Sequence, residues 1–290
     1  MQSRLLKPLG QELSVLGMGG IVVCEIEQPL ADRRVKESIA RGVTYFDVAP
    51  QYADAQQRLG PALEPFRDQV TLACKSLERS AKGVRREMAD SLEKLRTDHF
   101  DIYQLHAMHT EEDLDRALAD DGALRAVLDA KEAGTVRCAG FSAHDEDTAL
   151  RLIDTGHFDT MLVPLNFRSY TQARFGPRML AAANDAGIGV LALKAMAQAR
   201  VQPGEARPYP KCWYAPEDDP HTCALQLRWA LALPGVVAAL PPGDSKLYHL
   251  ALDLAQQHDL TQPLTEAELH DLQQRTAHQA PLFPLPGVLG

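Results

Sequence analysis

Four side chains that can donate, accept or stabilise a proton lie at or just beyond the ends of three short apolar segments. They are Asp47 and Tyr52 in TYFDVAPQY, Lys75 in VTLACKS and His106 in FDIYQLHAM. A phenol has a reference pKa of about 10. An ammonium group about 4 Å from the phenolate stabilises that anion by about 4 kcal/mol in a partly screened site. We therefore expect Lys75 to lower the pKa of Tyr52, so that the phenol acts as a general acid.

Asp47 and His106 are expected to support Tyr52 in its role as general acid. The carboxylate would keep Lys75 charged and in place, and a histidine beside a lysine is expected to be neutral and to hydrogen-bond a carbonyl oxygen. His106 and His109 lack a third ligand at a suitable spacing, so no metal site is indicated. With no nucleophile evident, the harder chemistry would come from a cofactor. Two alternatives are a structural Asp47–Lys75 ion pair and a cofactor-free lyase or isomerase with Lys75 as a Schiff base.

These residues need a scaffold that brings the ends of strands together. Short apolar runs alternate with amphipathic helical stretches, which is typical of βα units in a parallel sheet. Strands are predicted near 14–19, 44–49, 70–75, 100–106, 136–142, 159–165, 189–194 and 236–241. Glycines suited to end helices follow several of the helical stretches, namely Gly42, Gly134, Gly156 and Gly187. The pattern predicts an α/β fold of the (β/α)8 barrel type, whose active sites lie at the strand ends.

Other features modify this outline. A doubly wound open sheet is the alternative fold, although LGMGGIV lacks the GxGxxG spacing that it would need. A hairpin around Pro8 and Gly10 is expected to plug the bottom of the barrel. The stretches 107–121 and 196–218 would be long loops at the catalytic end, the second a functional flap. Residues 1–290 would form one domain, with a C-terminal helix and a Pro-rich tail from about 263.

Composition limits the class of partner. The formal charge of -9 and the lack of a basic stripe argue against nucleic acid or an anionic membrane as partner, and favour a small molecule. No run of about 18 apolar residues is present. Five cysteines are scattered without a CxxC pair, so we expect a reducing, cytoplasmic location.

The segment GVTYFDVAPQY resembles the GxxxFDTAxxY signature of the aldo-keto reductases. ACKS, YQLH and GFSAH then follow in the order of that family's strand-three lysine, strand-four histidine and strand-five GxS turn. The resemblance covers about residues 12–260. It implies a TIM barrel that binds NADPH without a Rossmann domain and reduces aldehydes, ketones or sugars. By this resemblance Tyr52 is the proton donor, Lys75 and Asp47 tune it, and His106 orients the carbonyl group.

The positions that contact the nicotinamide in this family match less closely. Ser142 is retained but is followed by Ala143 instead of asparagine, and Asn166 is retained in VPLNF. Leu162 and Leu193 replace a glutamine and an aromatic residue. Ser142 and Asn166 are expected to contact the cofactor, although each could instead be the N-cap of a helix.

The phosphate groups of the cofactor have three candidate partners. Lys194 would meet the pyrophosphate, while Ser245 and Lys246 would meet the 2′-phosphate, which Asp244 opposes. The expected cofactor is NADP, with NAD as the alternative. A nicotinamide-binding regulatory subunit with little turnover is a second functional hypothesis. The sequence indicates neither the substrate, a carbonyl compound or a sugar, nor a protein partner.

Overall fold

Eight parallel strands form the centre of the computed structural model, which describes residues 1–201, 204 and 207–283. Strand order follows the chain. The strands are β3 (Met18–Gly19), β4 (Tyr45–Asp47), β5 (Thr71–Ser76), β6 (Phe100–Met108), β7 (Val136–Ala143), β8 (Thr160–Pro164), β9 (Gly189–Leu193) and β12 (Val236–Leu240). The ring closes where Gly17 N donates to the Ala239 carbonyl at 3.0 Å and Ala239 N donates to Val15 at 2.8 Å. The predicted barrel is confirmed, and the open-sheet alternative is wrong.

Helices follow the barrel strands and cover the outside of the sheet. They are α1 (Gln28–Ala40), α2 (Ala55–Leu63), α3 (Ala81–Leu95), α4 (Glu111–Leu118), α5 (Ala123–Glu132), α6 (Glu146–Asp154), α7 (Phe167–Gln172), α8 (Pro177–Asp185), α9 (Pro220–Ala232), α10 (Ser245–Gln257) and α11 (Glu266–Arg275). Gly42, Gly134, Gly156 and Gly187 all have φ between 70° and 88°. They adopt the left-handed conformation predicted for them at helix ends, where glycine costs least.

The hairpin predicted around Pro8 and Gly10 is confirmed. Its strands β1 (Ser3–Leu6) and β2 (Gln11–Ser14) are antiparallel, and Gly10 has φ 68° in the turn. Leu6, Leu9 and Leu13 are buried in a cluster with side chains from the barrel interior. The hairpin takes the chain up to Ser14, so the first barrel strand is shorter than the predicted 14–19.

Two insertions lie between barrel elements. The stretch 107–121 is not simply a loop, because β6 continues to Met108 and the helix α4 follows. The stretch 196–218 contains an antiparallel pair, β10 (Ala197–Arg200) and β11 (Tyr214–Pro216). Within it, residues 202, 203, 205 and 206 lie outside the described residues.

The predicted C-terminal helix is α11, which begins with a capping box between Thr265 and Glu268. Most of the predicted Pro-rich tail, 284–290, is outside the described residues. The cysteines Cys24, Cys74, Cys138, Cys212 and Cys223 are free and buried. Among the described helices, none is both long and apolar enough to cross a membrane.

Candidate active site

Asp47 and Lys75 lie side by side on the neighbouring strands β4 and β5. The Nζ atom of Lys75 bonds directly to Oδ1 of Asp47, and the hydroxyl group of Tyr45 donates to Oδ2 at 3.3 Å. Lys75 is 1% exposed and Asp47 is 2% exposed. Burial alone would lower the pKa of Lys75, but the charge and hydrogen bond of Asp47, together with Tyr52, outweigh it and raise the pKa. The ammonium group therefore stays charged inside the barrel, as the sequence predicts.

Tyr52 returns to the barrel mouth through a turn, in which its N–H donates to the Ala49 carbonyl at 3.1 Å. Ala53, directly after it, has φ 47°, a left-handed conformation that alanine rarely adopts. The Tyr52 ring centroid lies 5.5 Å from Nζ of Lys75.

The protonation of Tyr52 differs from the sequence-based expectation. Burial raises the pKa of Tyr52, and this effect outweighs the attraction of Lys75, which lowers it. The expected net lowering of the pKa is therefore wrong, because burial is the largest effect and the charge of Asp47 adds to it. Tyr52 is consequently protonated at neutral pH, which is the state that a proton donor needs.

A bulge in the barrel sheet positions His106. The ladder between β6 and β7 is irregular between Leu105 and Met108, and Ala107 has φ 53°. The Ala107 N–H donates instead to Oγ of Ser142, at 2.8 Å. Ser142 thus supplies the acceptor that the irregular ladder lacks, and so supports the backbone beside His106.

The ring of His106 is close to Tyr52 and neutral. The two ring centroids are 6.0 Å apart at an interplanar angle of 87°. Burial, followed by the charge of Lys75, lowers the pKa of His106 to about 3. A neutral ring at pH 7 agrees with the prediction.

The four side chains open on one cavity of about 320 Å³ at the C-terminal end of the barrel. Trp213, from the 196–218 insertion, lies over Tyr52 with ring centroids 6.3 Å apart. Nζ of Lys211 donates to the backbone oxygens of Ile21, at 3.3 Å, and Cys24, at 2.5 Å. The insertion therefore forms one wall of the cavity, as expected for a flap at the catalytic mouth.

Of the residues predicted to hold a cofactor, Ser142 and Lys194 line this cavity. Ser142 does not cap α6, because Asp145 does so through a 2.8 Å bond from Thr148 N. Lys194 has φ 63°, and its Nζ lies 3.3 Å from Nε2 of His144. Burial, followed by the charge of Arg200, lowers the pKa of Lys194 to about 8.

Asn166, Ser245 and Lys246 do not line this cavity. Asn166 caps α7, because its Oδ1 accepts a 3.1 Å bond from Ser169 N, and its Nδ2 donates to the Ala197 carbonyl at 2.7 Å. Ser245 and Lys246 begin α10, which Asp244 caps by accepting a 2.8 Å bond from Lys246 N. Their predicted contacts with a cofactor stay predictions.

Three further residues of the site were not singled out from the sequence. Gln51 lines the cavity directly before Tyr52, and His144 lines it two residues after Ser142. Phe283 stacks on His144, with centroids 5.6 Å apart, and lies 4.6 Å from Nζ of Lys194. The first two stand inside the quoted motifs, where their polar character is a usable signal. Nothing in the sequence connects Phe283 with the site.

A protein-family model, described as the aldo/keto reductase family, matches residues 15–262. The chain belongs to this family. The resemblance found in the sequence is thereby confirmed, and its four proton-handling residues all fall within the matched region. Three curated relatives also match. The aldo-keto reductase YhdN of Bacillus subtilis is 28% identical over 135 residues, which cover 40% of this chain and 41% of that protein.

Another of these relatives is an L-galactose dehydrogenase of Arabidopsis thaliana. It is 25% identical over 185 residues, which cover 59% of this chain and 57% of that protein. The chain therefore spans about half the length of these relatives.

Solved structures match over nearly the whole chain. The holo form of an aldo-keto reductase from Bacillus halodurans has a TM-score of 0.72 and 19% identity, and the match covers 100% of both chains. An aldo-keto reductase from Klebsiella pneumoniae in complex with NADPH has a TM-score of 0.70 and 22% identity, over 99% of this chain and 97% of that chain. At these identities the likeness shows that the barrel fold is shared.

Proposed function

We propose that this aldo-keto reductase reduces an aldehyde or ketone with NADPH, or oxidises the corresponding alcohol, and that Tyr52 is the proton donor. The observation that supports this most directly is the buried Asp47–Lys75 pair beside protonated Tyr52 and neutral His106 in one cavity. The group contains a proton donor and a cation that stabilises its anion. It is thus suited to a reaction in which an oxygen gains a proton.

Each residue has a distinct part in the proposed reaction. Tyr52 gives its proton to the carbonyl oxygen, and Lys75 stabilises the phenolate that remains. Asp47 holds Lys75 in place, and His106 offers an uncharged ring nitrogen to the substrate. General acid catalysis of this kind contributes typically about 10²- to 10⁴-fold in rate. The cofactor, when bound, supplies the hydride.

Residues at the C-terminal mouth of the barrel are suited to bind the phosphate groups of a dinucleotide cofactor. Lys194 lines the cavity and makes no ion pair with a carboxylate among the described residues, so its charge is suited to a pyrophosphate. The Klebsiella pneumoniae structures bind NADP or NADPH, which supports NADP as the cofactor here. Ser142 would line the nicotinamide end, while Asn166, Ser245 and Lys246 would act from beyond the cavity wall. NAD is the alternative.

The test is to mix the protein with NADPH and a panel of sugar, aliphatic and aromatic aldehydes, and to follow nicotinamide absorbance. We expect turnover with wild type and none with Tyr52→Phe, which removes only the transferred proton. Cofactor affinity should be almost the same in both proteins. Retained activity in Tyr52→Phe would show that Tyr52 is not the proton donor. Tight cofactor binding without any turnover in wild type would favour a regulatory subunit instead.

A further inference from the structure

The hydroxyl group of Tyr45 is the second donor to the carboxylate of Asp47. Lys75 bonds to Oδ1 of Asp47, and the Tyr45 hydroxyl donates to Oδ2 at 3.3 Å. This hydroxyl has no other hydrogen-bond partner among the residues that the structure describes. Tyr45 precedes Asp47 by two residues on β4, so both side chains point to the same face of the sheet. Each oxygen of the buried carboxylate therefore has one donor.

The interior of the barrel holds the ring of Tyr45 in place. Tyr45 is 0% exposed and packs in the cluster that contains Leu13 of the hairpin and Ala73 of β5. A β-carbon at Gly17 would collide with the ring, so this glycine makes room for it. Tyr45 does not line the catalytic cavity. Its hydroxyl therefore acts on Asp47 from inside the barrel and does not contact a ligand in the cavity.

Burial opposes the charge of Asp47. It is the largest effect on the pKa of Asp47 and raises it, while the charge of Lys75 and the hydrogen bonds from Lys75 and Tyr45 lower it. Burial, followed by the charge of Asp47, raises the pKa of Tyr45 well above its usual value, so the phenol keeps its hydrogen and donates. The charge of Asp47 in turn raises the pKa of Lys75 against the effect of burial. The charge of Lys75 thus depends on an ionised Asp47, which Tyr45 stabilises.

The other titratable groups beside this pair are uncharged at pH 7. Burial raises the pKa of Cys74 to about 12, and burial followed by the charge of Lys75 lowers the pKa of His106 to about 3. Burial also keeps Tyr52 protonated. The charges that the Tyr45 hydroxyl influences are therefore those of Asp47 and Lys75.

We propose that Tyr45 is a positioning residue of this site, whose hydroxyl holds the carboxylate of Asp47 ionised and oriented, so that Lys75 keeps its charge beside Tyr52. The inference rests on the proposed carbonyl reduction, in which Lys75 stabilises the phenolate of Tyr52. Without the hydroxyl, the proton of Lys75 is shared more with Asp47 and the ion pair loses part of its charge. Lys75 lowers the pKa of Tyr52 more strongly than Asp47 raises it, so a weaker pair leaves that pKa higher.

The state of Asp47 can be measured without turnover. ¹³C NMR spectra of protein labelled at the aspartate carboxyl carbons distinguish an ionised from a protonated carboxyl group, and Asp47→Asn/Lys75→Met assigns the signal. In Tyr45→Phe the carboxyl group of Asp47 should gain its proton about one pH unit higher than in wild type, the lower end of the effect of a hydrogen bond to a charged group. Equal titration of Asp47 in the two proteins would overturn the proposal.

Tyr248→Phe is the matched control. The hydroxyl group of Tyr248 is almost as deeply buried and donates to Ser38 at 2.9 Å, between α10 and α1. Its removal also deletes one buried hydrogen bond, but not one at Asp47. Tyr248→Phe should therefore leave the signal of Asp47 as it is in wild type.

Kinetics separate a positioning role from a purely structural one. Tyr45→Phe should lower kcat by about tenfold, the kinetic equivalent of one pKa unit. KM and the dissociation constant for NADPH should not change, because Tyr45 does not line the cavity. The pH profile of alcohol oxidation should move to higher pH, since Tyr52 loses its proton less readily. Tyr248→Phe should keep the wild-type kcat and profile.

Two further outcomes remain distinct. If Tyr45→Phe has the same kcat and pH profile as Tyr248→Phe, the hydroxyl group is only structural and the proposal is wrong. If wild type reduces no compound in the aldehyde panel, the proposed function has failed, while the spectra of Asp47 still decide the role of Tyr45.

Discussion

The ammonium group of Lys75 and the carboxylate of Asp47 bond to each other inside the barrel, where both side chains are almost completely buried. Removal of one partner of such a pair leaves an uncompensated buried charge, which costs about 3–5 kcal/mol. We therefore expect Asp47→Asn to lower the free energy of unfolding by about 3 kcal/mol or more, as measured by urea denaturation. The double variant Asp47→Asn/Lys75→Met should recover part of this loss.

The exposed pair of Arg96 and Glu64 provides the control for this experiment, because both side chains are 54% exposed. Glu64→Gln should change the free energy of unfolding by at most about 1 kcal/mol. If Asp47→Asn were as mild as Glu64→Gln, the buried pair would not be an essential part of the folded barrel.

Lys75 also sets the pH at which Tyr52 changes its charge. It lowers the pKa of Tyr52 against the effect of burial, so its loss in Lys75→Met should raise that pKa further. Alcohol oxidation needs the phenolate, and its rate in Lys75→Met should therefore reach a maximum at a higher pH than in wild type. The measurement is a pH profile of kcat with NADP and an alcohol product of the reaction. A profile that moves to lower pH would contradict the proposed role of Lys75.

Ser142 supports the bulge that carries His106, and its replacement separates this role from cofactor binding. Ser142→Ala leaves the partly buried N–H of Ala107 without its 2.8 Å acceptor. An unsatisfied donor costs about 1–3 kcal/mol when it is fully buried, so the free energy of unfolding should fall by about 1 kcal/mol, the lower end of that range. Ser142→Thr keeps the hydroxyl group and serves as the control. A loss of cofactor affinity without a loss of stability would show that Ser142 acts on the cofactor instead.

His106 and His144 should make the fold sensitive to acid. Burial is the main reason that the pKa of each lies at about 3, whereas an unfolded histidine titrates at about 6.5. Between these values the unfolded chain binds more protons than the folded protein. The contribution of these histidines to the free energy of unfolding is therefore fully present above about pH 6.5. It falls towards pH 3, by up to about 1.4 kcal/mol per pH unit for each histidine.

His144→Gln tests this contribution. Besides burial, Lys194 and His109 lower the pKa of His144, and the variant keeps both of these side chains. Urea denaturation at several values between pH 7 and pH 4 should show a smaller loss of stability for His144→Gln than for wild type. If the free energy of unfolding falls equally with pH in both proteins, the fold does not hold His144 neutral.

The barrel could be predicted because local signals agree with it. Polar residues after apolar strands, and glycines such as Gly42 and Gly134 after amphipathic helices, each report a nearby backbone conformation. The charge state of Tyr52 could not be predicted in this way. It depends on burial of the phenol in the folded protein, where its neighbours include Trp213, a residue of the 196–218 insertion that is distant in the sequence.

The cofactor residues show the same limit. Asn166 occupies the position expected for a nicotinamide contact, yet its amide group caps α7 and holds the Ala197 carbonyl. A residue type at a given place does not reveal how many of its hydrogen-bonding groups the backbone already uses. Phe283 illustrates the converse case, because it reaches His144 only through the path of the C-terminal segment.

Lys194 and Lys246 should contribute differently to the binding of the two cofactors. Lys194 lines the cavity. Lys194→Ala should raise the dissociation constants for NADPH and NADH by similar factors, because both cofactors lose the same contact at the pyrophosphate. Lys246 lies on the first turn of α10, and Lys246→Ala should weaken only NADPH, because only that cofactor carries a 2′-phosphate. A charge-assisted contact contributes roughly 1.5–3 kcal/mol, so each loss should be at least about tenfold. Fluorescence titration of both variants with both cofactors measures this. If wild type binds NADPH and NADH equally and Lys246→Ala changes neither, the chain does not recognise the 2′-phosphate and its cofactor is NAD.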